Sequence, residues 1–94
     1  MANSIVNTGA SVDHDCVVGD HSHISPQACL AGNVWLGEEV MIGIGAMIVP
    51  GRRIGARTVV GAGAVVTRDL PDGVVAWGCP ARIVRLKASP AGSR

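Results

Sequence analysis

Beginning at Val6 and advancing by six, the chain presents Val6, Val12, Val18, Ile24, Leu30, Leu36, Ile42, Ile48, Ile54, Val60 and Val66. Every step lands on Val, Ile or Leu, which make up about a fifth to a quarter of an average chain, so chance does not produce the run. Two residues before each stands a small or β-branched residue: Ser4, Ala10, Cys16, Ser22, Ala28, Val34, Val40, Ala46, Thr58, Ala64, with Arg52 the exception. The residue after is glycine at Gly19, Gly37, Gly43, Gly55 and Gly61. A helix turns every 3.6 residues and does not generate six. Strand faces alternate with period two and do. Each repeat is therefore read as a short strand and a turn, with the aliphatic and the residue two before it pointing inward. Three repeats close one coil of a triangular prism, and coils stack about 4.8 Å apart. The spacing predicts an all-β fold: a single parallel β-helix of about three and a half coils, from Val6 to about Val66, with all eleven aliphatics buried in three columns. Each buried aliphatic contributes roughly 1.5–3 kcal/mol. A flat small β protein is the weaker alternative. Spacing leaves the hand open, although parallel crossovers are right-handed in nearly all folds.

Such an interior is narrow, and the chain is 48% hydrophobic yet has no Phe and no Tyr. Its three cysteines form no CxxC and no disulfide framework. A net charge of +1 gives little support to nucleic-acid binding. All eight Lys and Arg lie between Arg52 and Arg94, whereas five of the seven acids lie between Asp13 and Glu39. No signal peptide or membrane span is legible, so the expected compartment is cytoplasmic. Residues 1–70 are assigned to the β-helix and 71–88, which take in most of "LPDGVVAWGCPARIVRLK", to a C-terminal cap over its open end. Residues 89–94 are expected to be a mobile tail. "PGRR" is expected to distort its turn so that Arg52 faces outward.

All three histidines fall within "VDHDCVVGDHSHISP". His14, two residues after Val12, projects outward, as does His23, one residue before Ile24. They are nine residues apart, half a coil, and so lie on different sides of the prism. His21 and His23 could chelate a metal as HxH, but no third ligand is in view, and no metal is expected. His21 is read as a surface residue. Outward positions form columns: His23, Met41 and Val59; Cys29, Met47 and Val65; Val17, Trp35 and Arg53. A monomer does not readily expose such stripes, and a symmetric oligomer would cover them. Cys29 is then an interface residue and Cys16 a core one. Gly32 stands one coil above His14.

The stretches "LGEEVMIGIGAMIVPG", "IGARTVVGAGAVVTRDLPDG" and "GCPARIV" resemble the left-handed β-helix hexapeptide-repeat acyltransferases. "IVNTGASVDHDCVVGDHSHISPQACLAGNV" is similar to the sialic-acid O-acetyltransferase and bacillosamine-type sugar N-acetyltransferase subgroup. The resemblance covers roughly Ile5 to Arg85. It implies a left-handed helix, a homotrimer, and acetyl-CoA-dependent transfer to an amino or hydroxyl group of a sugar-like acceptor. His14 would be the general base, Asp15 in preference to Asp13 would orient it, His23 would contact the acetyl donor, and the Gly32 N–H would bond the acetyl oxygen. Flat patches centred on Ile44 and Ala62 would take the pantetheine arm, and the arginines from Arg52 onward the CoA phosphates. Members of the subgroup usually carry an N-terminal α/β domain that helps bind the sugar nucleotide, whereas here Met1 stands just ahead of the repeat. Two other readings remain at this stage: a non-catalytic CoA-binding trimer or scaffold, and a metal-dependent prism enzyme.

Overall fold

The computed structural model describes residues 4–86. Eleven two-residue strands follow one another at the predicted interval: β1 Ile5–Val6, β2 Ser11–Val12, β3 Val17–Val18, β4 His23–Ile24, β5 Cys29–Leu30, β6 Trp35–Leu36, β7 Met41–Ile42, β8 Met47–Ile48, β9 Arg53–Ile54, β10 Val59–Val60 and β11 Val65–Val66. Two longer strands close the described chain, β12 Val74–Gly78 and β13 Ala81–Leu86. From β1 to β11 every third strand pairs in parallel, giving a first face of β1-β4-β7-β10, which β12 (parallel) and β13 (antiparallel) extend, a second of β2-β5-β8-β11 and a third of β3-β6-β9. The register is one coil: Ile5 opposes His23, His23 opposes Met41, and Met41 opposes Val59. This is a left-handed parallel β-helix of about four coils.

Ile24, Leu30, Leu36, Ile42, Ile48 and Ile54 are fully buried, with Ala28, Val34, Val40, Ala46 and Ala64 beside them. Polar residues at the smaller inward position bond to carbonyls of the coil above. Ser22 Oγ donates to Gly37 O (3.0 Å) and Thr58 Oγ1 to Pro71 O (2.7 Å), so burial leaves neither hydroxyl unpaired. The lowest coil departs from expectation. Val6 is 41% exposed and Val12 half-buried. Among the described residues no coil lies beneath them, so they line the open end of the prism.

The corners also repeat. Gly9, Asp15, His21, Gln27, Asn33, Glu39, Gly45, Gly51, Arg57 and Gly63, six residues apart, all have positive φ. The chain bends there through the left-handed region, which glycine enters freely and other residues enter at a cost of about 1–2 kcal/mol. The glycines that follow the inward aliphatics answer a different constraint. A Cβ on Gly43 would stand 2.6 Å from Ala62 N in the coil above.

The period breaks once, after Val66. Leu70 bridges to Ile54, and Ala76 aligns with Val60, so the last coil is two residues short. Leu70, Val74 and Ala76 are buried inward residues, and β12 still pairs in parallel with β10. The coil thus continues beyond residue 70, and β13, antiparallel to β12, is the first strand to leave it. Carboxylates serve the shortened corner: Arg53 N donates to Asp69 Oδ1 (3.0 Å) and Ala56 N to Asp72 Oδ1 (2.8 Å). Arg52 does not distort its turn. Its carbonyl accepts Trp35 N in regular register, and its half-buried side chain runs to 3.7 Å from Asp69. The residues assigned to a tail, 89–94, lie outside the described residues.

Candidate active site

His14 occupies the corner between β2 and β3, on the edge where the second and third faces meet. Its backbone N–H donates to Asp13 Oδ1 at 2.7 Å, and its ring Nδ1 lies 3.0 Å from the same oxygen. A carboxylate can only accept, so Nδ1 holds the proton and Nε2 keeps a free lone pair. The hydrogen bond to Asp13 raises the His14 pKa above that of an ordinary histidine, aided by the charges of Asp13 and then Asp15. The same bond holds the Asp13 carboxyl below the usual range. The carboxylate in contact with His14 is therefore Asp13, not Asp15. Asp15 is the positive-φ residue of the corner and acts on the ring through its charge.

Gly32 lies directly above His14, and Asn33 N donates to His14 O (3.2 Å). The imidazole rests on the bare Gly32 backbone: a Cβ there would come within 3.1 Å of His14 Cε1. The Gly32 N–H has no protein partner among the described residues.

His23 is half-buried on β4, in the middle of the first face. That face is opposite the His14 edge, so within one chain the two rings are separated by the width of the prism. Asn7 Nδ2 lies 2.7 Å from His23 Nε2. Ile44 and Ala62 are exposed and stand one above the other on the edge between the first and second faces, with Gly63 N donating to Ile44 O (2.8 Å). The structure thus joins His14 to Gly32 and places His23, Ile44 and Ala62 elsewhere on the chain. His21 is an exposed corner residue with positive φ. Among the described residues no group of three or more His, Cys, Asp or Glu could hold a metal ion, and no helix is long and apolar enough to cross a membrane.

Asn7 escaped the sequence reading, which also preferred Asp15 to Asp13 as the carboxylate beside His14. Asn7 had a signal: it follows Val6, which pairs with Ile24, the residue after His23, and so sits diagonally below the ring. Asp13 adjoins His14 in sequence as Asp15 does, but a regular strand would turn both away from the ring, and the corner brings Asp13 to it.

Residues 33–68 match the family described as bacterial transferase hexapeptide (six repeats). PerB from Caulobacter crescentus, solved with CoA and GDP-perosamine, is 56% identical, with a TM-score of 0.84 over 85% of this chain and 39% of that one. The acetyltransferase domain of PglB from Neisseria gonorrhoeae FA1090, solved with acetyl coenzyme A, is 47% identical, with a TM-score of 0.85 over 86% of this chain and 40% of that one. Among sequence relatives, the putative acetyltransferase YvoF of Bacillus subtilis is 37% identical over 82 residues, 87% of this chain and 47% of that protein. The chain spans less than half the length of each.

Proposed function

We propose that this chain is an acetyl-CoA-dependent acetyltransferase acting on an amino or hydroxyl group of a sugar-like acceptor, with His14 as general base. The observation that carries the reading is the His14 ring, fixed by Asp13 through Nδ1, laid on the Gly32 backbone and offering Nε2 outward. The similar proteins solved with CoA, acetyl-CoA and GDP-perosamine support the donor and the acceptor class.

The chemistry follows from these atoms. As the acceptor nitrogen or oxygen attacks the thioester carbonyl carbon, Nε2 takes its proton, help typically worth about 10²–10⁴ in rate. The carbonyl oxygen becomes an oxyanion, which the unpartnered Gly32 N–H stabilises. Collapse expels the CoA sulfur, and the imidazolium returns the proton to it. Asp13 in contact and Asp15 at longer range stabilise the cation formed between these steps.

The assembly belongs to the same reading. Met41, Met47 and Ile44 are 47%, 49% and 59% exposed, an apolar surface that a monomer would leave in water. A homotrimer covers it and brings His14 of one chain to His23 of a neighbour. The donor then lies between two prisms, with its thioester at His14 and Gly32, its pantetheine along Ile44 and Ala62 of the other chain, and its phosphates at the arginine-rich end. Calorimetry with CoA tests this first. Binding is expected, and weakening when Arg57, Arg68 and Arg82 are changed together to Ala. No binding at millimolar CoA overturns the reading.

A further inference from the structure

The contact between Asn7 and His23 specifies more than proximity. Asn7 Nδ2 stands 2.7 Å from His23 Nε2 and 3.3 Å from Ile24 O. A carbonyl oxygen can only accept, so the atom facing it must be the amide nitrogen rather than the amide oxygen. That nitrogen has two hydrogens. One is directed to Ile24 O and the other to His23 Nε2, which must then accept. An imidazole accepting at Nε2 is neutral and carries its single proton on Nδ1.

Both partners are half-buried, and the scaffold fixes each. Asn7 N donates to Ile24 O (2.9 Å), tying the asparagine backbone to the coil above. His23 N donates to Val40 O (2.8 Å), tying the histidine to the coil above that. The two side chains are thus held one coil apart by main-chain bonds on either side of them.

We propose that Asn7 is a positioning residue that sets the tautomer of His23, so that His23 presents Nδ1–H as a hydrogen-bond donor to a carbonyl oxygen of the acyl donor. His14 and His23 then have opposite protonation patterns at their working nitrogens. His14 offers a lone pair because a carboxylate holds its other nitrogen. His23 offers a proton because an amide N–H holds its other nitrogen. One residue next to each ring makes the first a base and the second a donor. The inference rests on the proposed reaction for the identity of the ligand, but the tautomer is a property of the free protein.

Nitrogen-15 NMR of the imidazoles in the whole chain tests the tautomer without any assay. The expected result is His23 with Nδ1 protonated and Nε2 unprotonated at neutral pH. Asn7→Asp supplies only acceptors and should move the proton to Nε2, and Asn7→Ala should leave the two tautomers mixed. Titration with acetyl-CoA should perturb Nδ1 of the wild type, and Asn7→Ala should raise the KM for acetyl-CoA by about tenfold, the effect of one hydrogen bond, with kcat little changed. Nε2–H in the wild type, or the same tautomer in Asn7→Asp, overturns the proposal. If the tautomer is as expected but acetyl-CoA leaves Nδ1 unperturbed, the donor role of His23 fails while Asn7 still sets its protonation. Absence of CoA binding altogether would instead count against the proposed reaction.

Discussion

At the scale of single residues, the arrangement around His14 separates two carboxylates that the sequence presents as equivalents. Asp13 makes the bond and Asp15 contributes charge. Replacing His14 with Ala should lower kcat by roughly 10²-fold or more with little change in CoA affinity, because the base acts on the acceptor and not on the donor. Full activity of that variant with any working acceptor would refute the assignment. The pH profile discriminates further. The base works only when neutral, so kcat/KM should fall as pH drops through the raised His14 pKa. Asp13→Asn removes the largest cause of that rise, so the acid limb should move to lower pH, and the maximal rate should fall with the orientation lost. Asp15→Asn removes a charge but no bond and should shift the limb less. If Asp15→Asn moves it more than Asp13→Asn, the observed contact is not the working one.

The elements are two-residue strands joined by corners, and most of their logic was legible. The six-residue period reports the inward columns because a buried aliphatic is the one thing each strand must supply. The middle of the prism follows it from Ile24 to Ile54 without exception. What the period did not report was its own break after Val66, because Leu70 and Ala76 fall two residues early and Asp69 and Asp72 repair the corner with side-chain acceptors. Nor did it report the left-handed corner residue, since six of those positions carry side chains that disguise the rule that Gly9, Gly45, Gly51 and Gly63 follow. At the site, His14 and Gly32 came from the repeat and the family resemblance, whereas Asp13 and Asn7 needed the corner and the coil stacking. The two kinds of glycine make a stability test. Gly45 has φ +70° and open space around it, so Gly45→Ala should cost only the backbone strain, about 1–2 kcal/mol. Gly43→Ala forces a Cβ onto the Ala62 backbone and should cost more, at or beyond the roughly 3 kcal/mol upper range of overpacking. Equal denaturation midpoints for the two variants would contradict this account.

The whole molecule poses the question of why its candidate residues are scattered. His14 and Gly32 lie on one edge, Ile44 and Ala62 on another, and His23 on the face opposite the first edge. No single prism can bring them to one ligand, yet the apolar outward columns give prisms a reason to pack side by side. A site divided between chains has a consequence that a site within one chain lacks. His14→Ala and His23→Ala should each depress activity as uniform assemblies. Unfolded together and refolded at equal ratio, they should recover activity, because a His14 from one variant can face a His23 from the other. With random mixing both residues are intact at about a quarter of the interfaces of a cyclic trimer, so recovery should approach roughly a quarter of the wild-type rate. Sedimentation of the mixture should show a species of three chains. If the mixture is no more active than its two components while the species of three chains is present, His14 and His23 do not share a site across the interface.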